Sequence, residues 1–336
     1  MKPFTQPIRI GGMQIANRVF LAPLAGVSDV PFRRICREHG AGLAYVEMLS
    51  ANGILHGGKR TFRMMARHES EDVLGVQVTG NTPEDIADAV TVLDENGFDT
   101  IDINMGCPMR KIVAKGWGSA ILREPERLSA IVRVSRSRTR KPLSVKCRLG
   151  YSDTERNIED TSERVSNAEA DMLTIHGRTR AEDYSAPVDL SGIRTGIRHA
   201  ANLVTVGNGD VLDHRSALHM MERTGCDAVM VSRGALGNPW IFRAILDQEK
   251  RHPTPAEWLE VVTRHIEYHE SFYGPDRMTA VTMRKHALWY CSGYPHASRL
   301  RDRVGTVSDL AELRGILRVF ADALPRDIRR YQCVEG

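Results

Sequence analysis

What the chain lacks narrows the field first. No apolar run approaches the ~18 residues that a membrane-spanning helix needs, so no membrane passage is expected. The opening decapeptide MKPFTQPIRI has no apolar signal core, and a cytoplasmic location is the expectation. Six cysteines in 336 residues include no Cys-x-x-Cys pair. That spacing argues against a zinc ribbon and against a disulfide framework, and free thiols suit a reducing compartment. The HIEYH run around His265 and His269 sets its Glu out of place for the zinc-protease pattern. A packing role is expected there, and no metal site anywhere. The net charge of +4 permits a polyanionic partner without demanding one. There is no low-complexity tract and no repeat beyond a strand–helix unit.

That unit is what the chain does contain. After a hairpin over Ile8 to Ile15, short apolar strands are expected at Val19–Leu21, Leu43–Val46, Val73–Val78, Thr100–Ile103, Leu143–Lys146, Met172–Ile175, Leu203–Val206 and Ala228–Val231. Helical patterns separate them. Asp29 precedes one with Pro31 in its first turn, and Thr82-Pro83 opens another with Ile86, Ala89, Val90 and Leu93 at helical spacing. Eight strands alternating with helices predict an α/β fold, a (β/α)8 TIM barrel, which takes about 250 residues. Beyond Ile241 only helical patterns remain, at Pro255–Phe272, Arg277–Cys291, His296–Arg303 and Val307–Leu324. The break at Arg251–Pro255 divides the chain into a barrel, 1–250, and an all-helical domain, 251–336.

In such a barrel the chemistry collects at the C-terminal ends of the strands. Those ends carry Pro23-Leu24-Ala25, Gln77, Asn104 with Cys107, Lys146 with Arg148, His176 with Arg178, Asn208-Gly209-Asp210 and Ser232-Arg233. Polar residues after nearly every strand point to a polar ligand in the barrel mouth. Asp99 to Leu122 is the most unusual stretch: a strand runs into a thiol and a proline, then into basic Arg110, Lys111 and Lys115 and a glycine turn. The glycines of Gly207-Asn208-Gly209 let the backbone approach an oxyanion, and Arg233 adds a fork of donors, so a phosphate is expected after the last two strands. Cys36, Cys147, Cys226, Cys291 and Cys333 carry no motif and read as packing residues, as do Trp289 and Tyr290. Arg284-Lys285-His286 and Arg299, Arg301 and Arg303 form a candidate phosphate-contacting patch. Arg110 and Lys111, beside Cys107, are better placed for RNA.

Six motifs, APLAGVSD, DINMGCP, SVKCRLG, TIHGRTR, GNGD and SRGALGNPWIF, lie at these strand ends. In content and order they resemble the tRNA-dihydrouridine synthases, most closely the bacterial B subgroup. The resemblance implies an FMN-binding barrel followed by a helical tRNA-binding domain, and a monomer is the default expectation. The implied activity reduces uridines in the D-loop of tRNA to 5,6-dihydrouridine, with NADPH as the electron source. Carried residue by residue, it puts the isoalloxazine edge on the backbone of Pro23, Leu24 and Ala25. Gln77, Lys146 and His176 would bind the flavin, Asn208, Gly209 and Asp210 its ribityl and phosphate, and Ser232 and Arg233 the phosphate. Cys107 would be the catalytic acid, delivering a proton to C5 while a hydride reaches C6. Asn104, Arg148 and Arg178 would lie at the uracil, Asn104 and His176 would orient its carbonyls, and Arg110 and Lys111 would contact RNA. The uridine must leave its stack to enter. Three positions depart from the family pattern: Leu24 replaces Met, Gly207 replaces Ala, and Ser232 replaces Gly.

Overall fold

The structure, a computed structural model, describes residues 2–325. Cys333 and the last part of the expected helical domain lie outside the described residues.

A small antiparallel hairpin, β1 (Ile8–Ile10) and β2 (Met13–Ile15), precedes the barrel. The barrel strands are β3 (Val19–Leu21), β4 (Ala44–Tyr45), β5 (Leu49–Ser50), β6 (Leu74–Thr79), β7 (Thr100–Met105), β8 (Leu143–Arg148), β9 (Met172–His176), β10 (Val204–Asn208) and β11 (Ala228–Val231). All are parallel, in the order β3-β11-β10-β9-β8-β7-β6-β4, with β5 also on β6. A single parallel bridge, Phe20 to Leu43, joins the two ends. The second strand of the barrel is therefore broken in two, and the break carries Glu47 and Met48 to the mouth.

Period-two alternation explains the layers. Outward residues such as Val76, Ile101, Ile103, Val145, Ile175 and Val229 join the helices in the main core. Inward Phe20, Tyr45, Met172, Val206, Ala228 and Met230 pack on Ile8, Ile10 and Ile15, so the hairpin plugs the floor. The inward positions of β6 to β10 turn polar towards their C-terminal ends. Cross-strand register sets Gln77 beside Asp102, Asn104 beside Lys146, and His176 beside Asn208. These residues lie within the strands rather than in the loops beyond them, because their side chains satisfy one another and the ladder need not break.

The helices are α1 (Val30–Glu38), α2 (Ala51–Leu55), α3 (Lys59–Met64), α4 (Pro83–Glu95), α5 (Arg110–Val113), α6 (Pro125–Arg138), α7 (Ile158–Asn167), α8 (Leu190–His199), α9 (His214–Thr224), α10 (Trp240–Asp247), α11 (Pro255–Tyr273), α12 (Arg277–Cys291), α13 (Ala297–Thr306) and α14 (Leu310–Ala323). The Asp29 carboxylate caps α1 by accepting the Phe32 N–H at 3.1 Å, as the sequence predicts. The last helix starts three residues later than expected, because Asp309 accepts the N–H groups of Ala311 and Glu312 and fixes the cap there.

Helices α11 to α14 enclose their own core of Trp258, Val262, Ile266, Met283, Leu313 and Leu317, which Ile35 of α1 and Trp240 of α10 also join. Polar links tie this layer to the barrel. Glu38 accepts from Arg264 at 3.2 Å and Tyr268 at 2.6 Å, and Asp29 accepts from Tyr273 at 3.0 Å. Lys285 donates to the carbonyl of Gly26, whose N–H donates to Glu47. His265, His269 and His286 are buried together, with His265 and His286 ring centres 4.8 Å apart. His265 meets the Tyr290 hydroxyl at 3.1 Å and His269 the Thr282 hydroxyl at 2.9 Å. The HIEYH run thus packs inside. The expected patch at 284–286 does not form: Arg284 donates to the Val307 carbonyl, Lys285 is taken by Gly26, and His286 is buried. Arg299, Arg301 and Arg303 are exposed on α13. Among the described residues, no helix is long and apolar enough to cross a membrane.

Candidate active site

The strand ends converge on a cavity of about 310 Å³. Its wall carries Pro23, Leu24, Ala25, Gln77, Asn104, Cys107, Lys146, Arg148, His176, Asn208, Gly209, Asp210, Ser232 and Arg233. Arg110 and Lys111 lie outside it, exposed on α5 at the rim. Arg178 is not on the wall either. It is fully buried behind the wall, where it donates to Asp210 and meets His176.

The thiol loop is held at both ends. Asn104 Oδ1 accepts the N–H of Gly106 at 3.1 Å and of Cys107 at 2.9 Å. The Cys107 carbonyl accepts the Ser119 N–H at 3.2 Å and hydroxyl at 2.9 Å. Gly118 permits this return. Its φ is +58°, and a Cβ there would sit 2.9 Å from the Cys107 carbonyl oxygen. Arg148 donates to the Gly106 carbonyl at 3.0 Å and to the Thr179 carbonyl at 2.6 Å. Cys107 itself is half-buried. Desolvation pushes its thiol above the ordinary value, against smaller opposing effects from the Met109 N–H, Arg148 and Lys146. At neutral pH the group is a thiol, suited to giving a proton rather than attacking as thiolate.

Lys146 donates to Asn208 Oδ1 at 2.9 Å, a neutral partner. Among the described residues no carboxylate pairs with this ammonium. Desolvation, aided by Arg148, lowers it to about 8. It therefore stays charged at neutral pH and offers that charge to the cavity. Beneath it, Asp102 accepts from Gln77 at 2.7 Å and Ser144 at 2.6 Å, and burial raises its carboxyl to about 6. Burial first, and then the surrounding cations, hold His176 far below its usual value, so the ring is neutral. Arg178 Nη1 lies 3.3 Å from His176 Nε2. A guanidinium only donates, so Nε2 accepts and the ring proton sits on Nδ1.

The other end is built for an anion. Asp210, at φ +46°, takes Arg178 on one side and Arg233 at 2.6 Å on the other. Arg233 also lies 4.1 Å over the Tyr184 ring. The Asn208 amide donates to the Ser232 hydroxyl at 3.0 Å, which leaves that O–H to donate elsewhere. Gly209, at φ +117°, keeps the backbone close against His176. Cation, amides and neutral imidazole at one end, with a guanidinium and a glycine turn at the other, fit a flat polar ring that carries an anionic tail.

The sequence reading missed Met48, Met109, Tyr184 and Leu212, which also line the cavity. Tyr184 sits eight residues past His176, within reach of the strand-end rule had the loop been followed further. Met48 gives no signal until the break in the second strand is seen. Among the described residues, no group of three or more His, Cys, Asp or Glu side chains is arranged to hold a metal.

Comparison with known proteins finds relatives along nearly the whole chain. The chain is similar to tRNA-dihydrouridine synthase B of Pasteurella multocida, 33% identical over 95% of this chain and 97% of that protein. It is also similar to tRNA-dihydrouridine synthase B of Escherichia coli K12, 34% identical over 93% and 98% of the two chains. A probable tRNA-dihydrouridine synthase 1 of Synechocystis is 34% identical over 94% and 89%. Among solved structures, a variant of NCR from Zymomonas mobilis superposes with a TM-score of 0.55 at 16% identity, over 74% of this chain and 92% of that one. At that identity the likeness speaks for the barrel alone. The family profile described as Dihydrouridine synthase (Dus) matches residues 20–325, and with these full-length relatives it shows that the chain belongs to the dihydrouridine synthase family.

Proposed function

We propose that this chain reduces D-loop uridines of tRNA to 5,6-dihydrouridine, using FMN bound in the barrel mouth and NADPH as the electron source. Family membership supports the reaction. The observation that carries the site is that one cavity joins a protonated thiol, an unpaired ammonium and a cationic anion-receiving end. No side chain on the wall is a hydride donor, so saturating the C5–C6 bond needs a bound redox group, and the donor set described above fits FMN. When reduced, FMN supplies the hydride that adds to C6.

The chain's own residues do the rest. Lys146, with the backbone of Pro23, Leu24 and Ala25 and the Gln77 amide, holds the ring. The ammonium balances negative charge that develops there. Gly209, Asp210, Ser232 and Arg233 hold the ribityl and phosphate. Asn104, Arg148 and neutral His176 orient the pyrimidine. Cys107 keeps its proton until C5 becomes basic, donates it, and is reprotonated from solvent, which its raised pKa favours. Arg110 and Lys111 on the rim meet the RNA backbone. We assign residues 1–250 to catalysis and 251–336 to RNA docking, with Arg299, Arg301 and Arg303 as phosphate contacts.

The test uses purified chain, FMN, NADPH and tRNA lacking dihydrouridine, with nucleoside mass spectrometry after digestion. New dihydrouridine in the D-loop fragment is the expected result. Flavin binding and NADPH oxidation without any tRNA product would overturn the substrate assignment.

A further inference from the structure

Asp102 is buried in the barrel lumen, does not reach the cavity, and has no part in the mechanism above. Its place in a chain of amides gives it one. The chain can be oriented from the end that cannot reverse. The backbone N–H groups of Gly106 and Cys107 only donate, so the Asn104 atom that meets them is Oδ1. The Asn104 NH2 therefore faces Gln77, 2.8 Å away, and meets Oε1. The Gln77 NH2 in turn faces Asp102 at 2.7 Å. Asp102 must accept. Its second oxygen lies 2.6 Å from the Ser144 hydroxyl, which also reaches the Ile101 carbonyl at 3.5 Å, so the oxygen facing Gln77 is the one whose acceptor role is fixed.

We propose that Asp102 is a positioning residue for the catalytic thiol: its carboxyl oxygen, accepting from Gln77, sets the direction of the Gln77 and Asn104 amides, and through them holds the Cys107 loop in its working form. This rests on Cys107 being the proton donor. An amide has two ends that differ little in shape, and only its partners decide which way it faces. Without an acceptor at 102, Gln77 can turn over. Its NH2 then meets the Asn104 NH2, and Asn104 must give up one or both loop N–H groups. Three strands besides its own face the carboxylate, with Tyr45 on β4, Gln77 on β6, and Ser144 and Lys146 on β8. Burial dominates over the hydrogen bonds and the Lys146 charge, which places the carboxyl at about 6. Protonated, the group still accepts from Gln77 with one oxygen while its O–H meets the Ser144 hydroxyl, so the chain does not depend on the charge.

The experiment reads the two half-reactions of the FMN-loaded full chain separately: flavin reduction by NADPH, and reoxidation by tRNA in a single turnover. Loss of one charge-assisted hydrogen bond should slow reoxidation by D102A about ten- to hundred-fold, with flavin reduction within about threefold of the parent. Cys107 alkylation by iodoacetamide should rise in the same variant. D102N should recover most of the rate, since its carbonyl can face Gln77 while its NH2 faces the Ser144 oxygen. On a Q77L background, D102A should add less than about threefold. If D102A fails to fold, D102L remains: it fills the same space without an acceptor and should slow reoxidation to a similar degree. Equal slowing of both half-reactions, multiplicative effects of D102A and Q77L, or reoxidation of D102L at the parent rate would overturn the proposal. C107A separates the two ideas. If it reoxidises at the parent rate, the proton-donor reading falls and takes this one with it. If it collapses while D102A stays fast, only the relay falls.

Discussion

Replacing Arg178 by Met tests the charge balance at the Asp210–Arg233 end of the cavity. Arg178 and Arg233 both donate to Asp210, so the three groups together carry one net positive charge. R178M removes a buried donor that never touches the cavity and leaves Asp210 to draw on Arg233 alone. Hydrogen bonds to charged groups are worth ~1.5–3 kcal/mol. Asp210 and Arg233 side chains are 32% and 40% exposed, so solvent screening favours the low end. A loss of ~1.4 kcal/mol is tenfold in Kd. FMN affinity of the flavin-free chain, read by quenching of flavin fluorescence, should weaken about tenfold. Riboflavin, which has no phosphate, should bind within about twofold of the parent. The double variant R178M/D210N restores the net charge and should restore preference for FMN. Equal weakening of both flavins would mean that Arg178 supports only the packing of the loop, and the electrostatic reasoning would be refuted.

Three further outcomes are expected. C107A should keep FMN and flavin reduction but lose about a hundredfold or more in uridine reduction, and full turnover would remove Cys107 from the chemistry. Arg33 and Glu71 form a buried bidentate pair at 2.7 and 3.0 Å, and Arg33 also holds the Ser28 carbonyl. R33M should cost ~3–5 kcal/mol, about 4–7 °C in Tm at the entropy of unfolding of a chain this long. R33M/E71L should recover much of that, and a double variant as unstable as the single would contradict it. The buried histidines make stability fall with acid. His265 and His269 are held at about 3 and 4, below their ordinary 6.5, so each takes up a proton on unfolding. Their contribution is complete above pH 6.5 and is lost as pH falls towards those values, by up to about 1.4 kcal/mol per unit for each. Asp29, raised to about 6, binds its proton first in the folded chain and offsets part of this below pH 6. A Tm that does not fall between about pH 7 and 5 would count against the cluster being neutral.

The strand ends were legible because polar residues interrupt an otherwise apolar alternation at the same point of successive strands. Asn104, Lys146, His176 and Asn208 could be picked out for that reason, although Asn104, His176 and Asn208 were expected just beyond strands that in fact include them. Short elements left no periodic trace, so α2, α3, α5 and the 3-10 turn at Gly118–Arg123 went unseen. The helix α10 was hidden because its first residues share a motif with the preceding strand end. Arg178 shows the limit at a single site. The sequence locates an arginine after a strand, but whether it faces the cavity or the wall depends on Asp210, Ala186 and Tyr184, which the loop folds around it. The histidines of HIEYH read correctly as packing, yet their neighbours come from α12 and α1, which only the fold assembles.

The grip on Gly26 bears on how such enzymes can be re-engineered. One residue, at φ +73°, is held by a barrel residue through its N–H and by a helix of the tail through its carbonyl oxygen. The loop it belongs to forms one side of the cavity. The tail is thus a latch as well as an attachment. A chimera that borrows another relative's tail to redirect RNA choice would also exchange the cation at position 285. It would need the matching partners of Glu38 and Asp29 as well. Grafting along the α1–α11–α12 seam, rather than near residue 250, is the cut that would leave this side of the cavity latched.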